Sequence, residues 1–318
     1  MSITASNPAT DTSSAIAVPR EYVHKSAQSE VLLTGWSPAG PDRHRVTARW
    51  PLTHPFYGPV GGFHDPMLVA ESVRQCVPLL SHVAYDVPFG HRQVWSRFQY
   101  EIDPAALAVS DAPAEVDMRV TCPKVIRRAG RLVSVDLQVD LSLDNRPLGT
   151  AFTRFADLSP AVYPRLRGPY ADIDEAYRRA IPLAPPTAPA SVARTGFADV
   201  VLSPTNSPTL HQLRVDLTHP ALFDHPVDHA PGMLLLEAAR QATQAQAHPQ
   251  PVIATAMDAE FAQYVELDAP CWIHVGRPGG ESGRGGDGPG AAPVRVTAVQ
   301  NESCAFEATV TPTAVPRT

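Results

Sequence analysis

One pattern is used twice in this chain, and nothing else in the sequence limits its fold so tightly. Leu52-Thr53-His54-Pro55 returns as Leu217-Thr218-His219-Pro220, and Phe56-x-x-Pro59-Val60 as Phe223-x-x-Pro226-Val227. Met67-Leu68-x-x-Glu71-x-x-Arg74-Gln75 returns as Met233-Leu234-x-x-Glu237-x-x-Arg240-Gln241. The three blocks are collinear and keep nearly one spacing, so the chain is a duplication. With 318 residues, 44% of them hydrophobic and 18% charged, each half has enough apolar material for a core of its own.

Each half reads as the same succession of elements. Short strand candidates come first, at 30–33 and 45–50 in one half and at 199–202 and 211–217 in the other. A turn rich in Pro, Gly and His follows, then one apolar helix, 67–84 or 233–247. Four further strands are expected after each helix: 94–100, 114–121, 132–143 and 149–156, then 252–261, 271–275, 294–299 and 305–310. They are rich in β-branched residues, partly alternating, and bounded by turn residues. The expected class is α+β, with a tail over 1–20, one domain over 21–158 and a second over 192–318. Residues 159–191 are Pro-rich and read as a semi-rigid connector, with one helical patch at 173–180. Residues 276–293 are Gly-rich and read as a flexible surface loop, without a phosphate-cradling pattern.

Composition excludes several classes of function. Net charge is −6 with the two signs interleaved, so no basic face for nucleic acid is expected. No helix-turn-helix or basic recognition segment is found either. The first 18 residues lack a basic start and an apolar core, unlike a signal peptide. No apolar run approaches the length of a membrane span, and a cytoplasmic protein is expected. Cys76, Cys122, Cys271 and Cys304 form no C-x-x-C pair and no zinc spacing, so buried free thiols are expected and no metal site.

The chemistry concentrates on the repeated helix. Glu71, Arg74 and Gln75 share one face at i, i+3 and i+4, as do Glu237, Arg240 and Gln241. A carboxylate and a guanidinium on an otherwise apolar helix are costly unless paired or used. Two readings are open: a buried ion pair, or an acid/base carboxylate beside an anion-binding arginine. His54 and His219 recur at matching positions, which gives them weight over His64, His225 and His229, ordinary turn hydrogen-bonders. Asp65 and Asp228 are placed to cap their helices. Trp36, Trp50 and Trp95 suit a core or a tunnel wall.

The stretch Pro231-Gly232-Met233-Leu234-Leu235-Leu236-Glu237-Ala238-Ala239-Arg240-Gln241 is similar to the P-G-x-L-x-x-E-A-x-x-Q helix of hotdog-fold 3-hydroxyacyl-carrier dehydratases. The first half departs from it, with His64-Asp65-Pro66 at the helix entry. The chain as a whole more closely resembles the A-factor synthase (AfsA-type) family. The matching stretches are Val23-His24-Lys25, Glu30 to Trp36, Ala48-Arg49-Trp50-Pro51, His64 to Gln75, His82-x-x-Tyr85-x-Val87-Pro88 and the second helix.

That resemblance implies two tandem hotdog domains, each an antiparallel sheet wrapped around a helix, paired within one chain; a homodimer is left open. It implies an acyltransferase that moves a β-ketoacyl group from an acyl-carrier-protein or CoA thioester to dihydroxyacetone phosphate. The resulting ester closes to a butenolide phosphate, and no cofactor is called for. Glu237 is then the expected general base, with a pKa raised by its apolar helix, and Glu71 its counterpart; His219 is the next choice. Arg240 is expected on the acceptor phosphate, and the backbone N–H groups of Gly232 and Met233 on the thioester oxyanion. Arg74, Gln75, Gln241, His54, His64 and Asp65 complete the expected substrate-binding set, and the second half is expected to hold the principal site. A 3-hydroxyacyl-thioester dehydratase and a non-catalytic acyl-ligand binding protein are the alternatives.

Overall fold

The computed structural model describes residues 18–278 and 292–315. Most of the expected tail, most of the Gly-rich loop and the last three residues lie outside them. In chain order the strands are β1 (Leu33–Gly40), β2 (Arg43–Trp50), β3 (Arg92–Ile102), β4 (Ala114–Arg128), β5 (Arg131–Leu143) and β6 (Arg146–Leu158). The second half supplies β7 (Leu202–Pro204), β8 (Leu210–Leu213), β9 (Val252–Phe261), β10 (Trp272–Gly276), β11 (Val294–Gln300) and β12 (Ser303–Ala314). The helices are α1 (Met67–Val83), α2 (Tyr163–Arg167), α3 (Ile173–Arg179) and α4 (Gly232–Ala247).

All twelve strands form one sheet, in the order β1-β2-β4-β5-β6-β3-β9-β12-β11-β10-β8-β7. The order reads identically from both edges once six is subtracted from the second half's labels, so the two halves are hotdog units related by a pseudo-twofold axis. They join where β3 pairs antiparallel with β9, with Phe98 opposite Ala259 and Tyr100 opposite Met257. Residues of α1 contact β1, β2, β3 and β6; α4 lies along β7 and β9 to β12, and the two helices touch. Nearly every side chain of α1 is buried, which is why its sequence is apolar on almost every side. Cys76, Cys122 and Cys271 are buried thiols, with burial pushing Cys271 up to about 12, whereas Cys304 is exposed and departs from the expectation.

The strands expected at 30–33 and 199–202 are displaced. β1 begins at Leu33 and β7 at Leu202, while the residues before them pair with a side chain instead of a strand. Gln75 Oε1 accepts the Leu32 N–H at 2.9 Å, and Gln75 Nε2 donates to the Glu30 carbonyl at 2.8 Å. Gln241 does the same, accepting from Val201 N–H at 3.0 Å and donating to the Asp199 carbonyl at 2.7 Å. A primary amide matches the donor–acceptor pair of an extended backbone, so these segments look strand-like in sequence without lying in the sheet. The strand expected at 211–217 also stops short, at Leu213.

Residues 159–191 carry α2, α3 and several prolines, and they pack as part of the molecule. Tyr163 and Arg167 of α2 are buried against residues of the second half.

Replacing Gln241 by Leu strands a buried carbonyl and N–H without partners. We expect a loss of about 1–3 kcal/mol in urea denaturation, and a similar loss for Gln75→Leu.

Candidate active site

The paired glutamates anchor two networks built to one plan. In the first, Arg74 Nε and one terminal nitrogen each reach the Glu71 carboxylate at 2.9 Å, and the same terminal nitrogen donates to the Val23 carbonyl at 3.2 Å. Gln75 Nε2 adds a bond at 2.8 Å, and Lys25 Nζ stands 3.1 Å away. In the second, Arg240 reaches Glu237 twice at 2.8 Å and the Val192 carbonyl at 3.0 Å, while Gln241 Nε2 binds the carboxylate at 2.7 Å. Arg194 Nε completes it at 2.9 Å.

Val23-His24-Lys25 and Val192-Ala193-Arg194 are therefore counterparts that the sequence repeat does not reveal. His24 and Ala193 both sit in the left-handed region, at φ 52° and 51°, each ending a 3-10 turn and sending the next residue's cation to the helix. Only the valine is identical, so the sole sequence signal was a cation following a small turn.

The Glu237 carboxyl does not lie above the usual range, as its apolar helix suggested. Arg194 and Arg240 outweigh desolvation and draw it from 4.5 down to about 2; Arg74 and Lys25 do the same for Glu71. Glu237 is fully buried and lies away from the main cavity, so its geometry argues for a structural ion pair. His54 and His219 also have matching structural work. Each Nδ1 accepts two backbone N–H bonds, from Phe56 and Tyr57 or from Ala221 and Leu222. Each Nε2 faces a carboxylate, Glu30 at 3.5 Å or Asp199 at 3.4 Å. Their recurrence marks a duplicated turn. His64 is buried against the Trp50 ring, and burial lowers its pKa.

A cavity of about 630 Å³ opens between the halves. Of the residues expected from sequence, Glu71, Arg74, Gly232 and Met233 line it; Glu237, Arg240, His219, Gln75, Gln241, His54, His64 and Asp65 do not. Its polar lining includes His24, Lys25, Arg74, Arg92, His225 and His229, with Glu71, Asp224 and Glu266. Its apolar lining includes Val77, Trp95, Met233, Leu235, Phe261 and Val265. Arg92 lies over the Tyr163 ring at 5.4 Å and, among the described residues, has no carboxylate partner within ion-pair distance. His82 donates from Nδ1 to the Val87 carbonyl at 2.7 Å, so its Nε2 accepts from His24 Nε2 at 3.0 Å. His24 is held neutral there: burial and the neighbouring His82, Arg74, His225 and Arg92 pull its pKa down to about 3.

The entrance of α4 faces this cavity. No side chain caps it, and Asp228 is turned elsewhere, so the N–H groups of Gly232 and Met233 are left for a ligand. Gly232 is required by close approach, since a Cβ there would meet the Trp95 ring at 2.9 Å. The entrance of α1 is closed in the corresponding place. Asp65 Oδ1 accepts the Met67 N–H at 2.9 Å, and Oδ2 stands 3.2 Å from Arg194. Arg194 also lies 4.2 Å from the Phe56 ring. Counting back from Met67 and Met233, the second half has Pro231 where the first has Asp65, so no carboxylate blocks the open site.

A second buried cluster borders the cavity. Asp228 accepts from Tyr163 Oη at 2.6 and 2.8 Å, from Arg167 Nε at 3.2 Å and from His229 Nδ1 at 2.7 Å. Arg167 is clamped by Glu266 at 2.6 and 2.7 Å and stacks 3.9 Å from Tyr264. Sequence reading singled out Asp228 and His229 for other roles and missed Tyr163 and Arg167, which lie in the Pro-rich connector, and Tyr264 and Glu266. Among the described residues no group of His, Cys, Asp and Glu is placed to hold a metal, and no helix is long and apolar enough to cross a membrane.

Glu237→Gln leaves two buried guanidinium groups short of charge, and we expect it to cost about 3–5 kcal/mol. Both glutamates are depressed in the folded state, so their stabilisation is complete above about pH 4.5 and lost as pH falls towards 2. Melting temperatures measured from pH 6 downward should drop through that window, and less steeply in a Glu71→Gln protein.

Comparison with known proteins agrees with this architecture. The model of the A-factor biosynthesis hotdog domain matches residues 6–158 and again 177–316. The chain is 43% identical over 91% of its length to a 2-oxo-3-(phosphooxy)propyl 3-oxoalkanoate synthase of Streptomyces virginiae, covering 95% of that protein. It is 39% identical over 96% of its length to the synthase of the same name from Streptomyces coelicolor, again covering 95%. Among solved structures, an oleoyl thioesterase from Lactobacillus plantarum superposes with a TM-score of 0.53 at 12% identity, over 88% of this chain and 99% of that one, which reflects the shared fold. The chain belongs to the A-factor biosynthesis hotdog family.

Proposed function

We propose that this protein transfers a β-ketoacyl group from a carrier or CoA thioester to the hydroxyl of dihydroxyacetone phosphate. The relatives carry that reaction in their names, since 2-oxo-3-(phosphooxy)propyl 3-oxoalkanoate is the ester such a transfer makes. The observation that carries the reading is a cavity whose lining includes Arg92, an arginine without a carboxylate partner among the described residues, together with many apolar side chains. A phosphorylated three-carbon alcohol suits the unpaired guanidinium and an acyl chain the apolar lining.

The first half's Arg74 and Lys25 lie on the cavity wall, whereas the second half's equivalent cation, Arg194, already faces the Asp65 carboxylate. That internal carboxylate indicates what the open copy is suited to receive, an anionic oxygen from a ligand. Arg92 is the better-placed phosphate ligand than Arg240, because it lines the cavity and carries no competing carboxylate. The thioester carbonyl belongs at the entrance of α4, where the Gly232 and Met233 N–H groups and the helix dipole favour developing negative charge. Attack by the acceptor hydroxyl then forms the ester and releases the thiol. The open site takes Gly232 and Met233 from the second half and Glu71 and Arg74 from the first, so it is composite.

Mixing the protein with a β-ketoacyl thioester and dihydroxyacetone phosphate should yield the phosphorylated ester, or its butenolide, by mass spectrometry. A product lighter by one water from a 3-hydroxyacyl thioester would favour a dehydratase, and binding without turnover an acyl-ligand carrier. Arg92→Ala should raise KM for dihydroxyacetone phosphate by about 10- to 100-fold, the size of a charge-assisted bond. Turnover of unphosphorylated dihydroxyacetone should be unchanged by it.

A further inference from the structure

The acceptor hydroxyl must lose its proton as it attacks, and Glu237 is neither on the cavity nor free to take one. Glu71 reaches the cavity, but Arg74, Lys25 and Gln75 occupy its oxygens. We propose that His229, oriented by Asp228, is the general base for acyl transfer. This inference rests on the acyl-transfer reading and adds to it the group that moves the proton.

Three observations converge on His229. It lines the cavity three residues before Gly232, and its side chain keeps 25% of its exposure. Its Nδ1 is 2.7 Å from Asp228 Oδ1; a carboxylate offers only acceptors, so Nδ1 carries the hydrogen and the Nε2 lone pair is left to take a proton. Its ring plane is fixed from a second direction by Tyr264, in edge contact at 4.7 Å.

Asp228 is held as rigidly as its histidine. It is 2% exposed and bound by Tyr163 and Arg167, and these partners together with His229 keep its carboxyl well below the usual range. Such a carboxylate fixes the tautomer and stabilises the imidazolium that forms when Nε2 is protonated. The arrangement exists in one half only. Counting back from Met67, the first half has Gly62-Phe63 where the second has Asp228-His229, and α2 supplies Tyr163 and Arg167 once. A structural dyad needed to close a hotdog unit would be expected twice, as the His54 and His219 turns are.

The step balances without any further reactant. The acceptor O–H bond breaks and its proton goes to His229 Nε2, while the oxygen bonds to the thioester carbon. The tetrahedral intermediate collapses, the C–S bond breaks, and the departing thiolate takes the proton back from Nε2. Neutral imidazole, ester and thiol remain. The other charged or titratable groups around the ring are Tyr163 and Arg167 of α2, Tyr264 and Glu266 after β9, and Arg92 at the start of β3.

His229→Gln should lower kcat by about 10²–10⁴ with little change in either KM. His229→Ala should regain part of its turnover when imidazole is added. Asp228 is a positioning residue: Asp228→Asn presents an amide donor to Nδ1, shifts the hydrogen to Nε2, and should lower kcat without weakening binding. Parent-rate turnover in a folded His229→Gln protein overturns the proposal, as does a loss confined to KM. Absence of ester from the wild-type protein overturns the acyl-transfer reading and this one with it, whereas wild-type ester with an unaffected variant overturns this one alone.

Discussion

A carboxylate buried on an apolar helix is the constraint around which each half is assembled. Glu71 and Glu237 are both almost wholly removed from water, and neither would be tolerated there alone. Each recruits an arginine one turn later on its own helix, a glutamine beside it, and a cation from a left-handed turn far back in the chain. The arginine and glutamine do more than neutralise. They bind the backbone of the preceding segment, Val23 and Glu30 in one half and Val192 and Asp199 in the other. The helix is thereby fixed against the chain that enters the sheet, and with it the position of the helix entrance. Replacing such networks with apolar side chains often costs little stability, so their value here is geometric: they fix the helix against the segment that enters the sheet.

The architecture was legible because duplication repeats its errors as well as its signals. The succession of strands, helix and strands, the two helices, and most of the twelve strands follow from alternation and turn residues. The displaced strands at 30–33 and 199–202 failed in both halves for one reason, since a glutamine amide imitates a strand partner and local pattern cannot distinguish the two. At the site, Gly232 and Met233 were legible from the Pro-Gly entry, and Glu71 and Arg74 from the repeat. Glu237 was misread because desolvation was visible in sequence, while the second guanidinium, Arg194, arrives from forty-three residues earlier. Lys25 and Arg194 were hidden by divergence, and Tyr163 and Arg167 by the prolines around them.

The two halves show how a duplicated scaffold can keep its structure and divide its chemistry. The networks on α1 and α4 remain nearly superimposable in their bonds, which is the structural inheritance. The helix entrances have diverged. Asp65 caps α1 and neutralises Arg194, so that copy is satisfied from within. Pro231-Gly232 leaves the α4 entrance uncapped, and the close approach of Trp95 to Gly232 sets it against an aromatic wall. Because the halves pack about a pseudo-twofold axis, the open entrance of one faces the Glu71 network of the other. A single composite cavity is the consequence, and a lone hotdog unit would supply only half of it.

The fold by itself does not decide what becomes of an acyl group, and an oleoyl thioesterase superposes on this chain. Whether a bound thioester is hydrolysed or passed to an alcohol depends on which nucleophile stands at the carbonyl. Water is everywhere and needs no site, so a transferase must hold its alcohol long enough, and close enough, to outcompete it. Binding energy from a part of the acceptor that does not react is the means available, and a phosphate is the strongest such handle on a three-carbon alcohol. A cavity that holds the unpaired Arg92 as well as the apolar Trp95 and Phe261 meets that need in a way a purely apolar tunnel would not. The same logic explains why the general base should be neutral, tautomer-fixed and near the acceptor. A carboxylate already bound by several cations has little affinity for a proton, whereas an imidazole with one nitrogen held by Asp228 has its other nitrogen free.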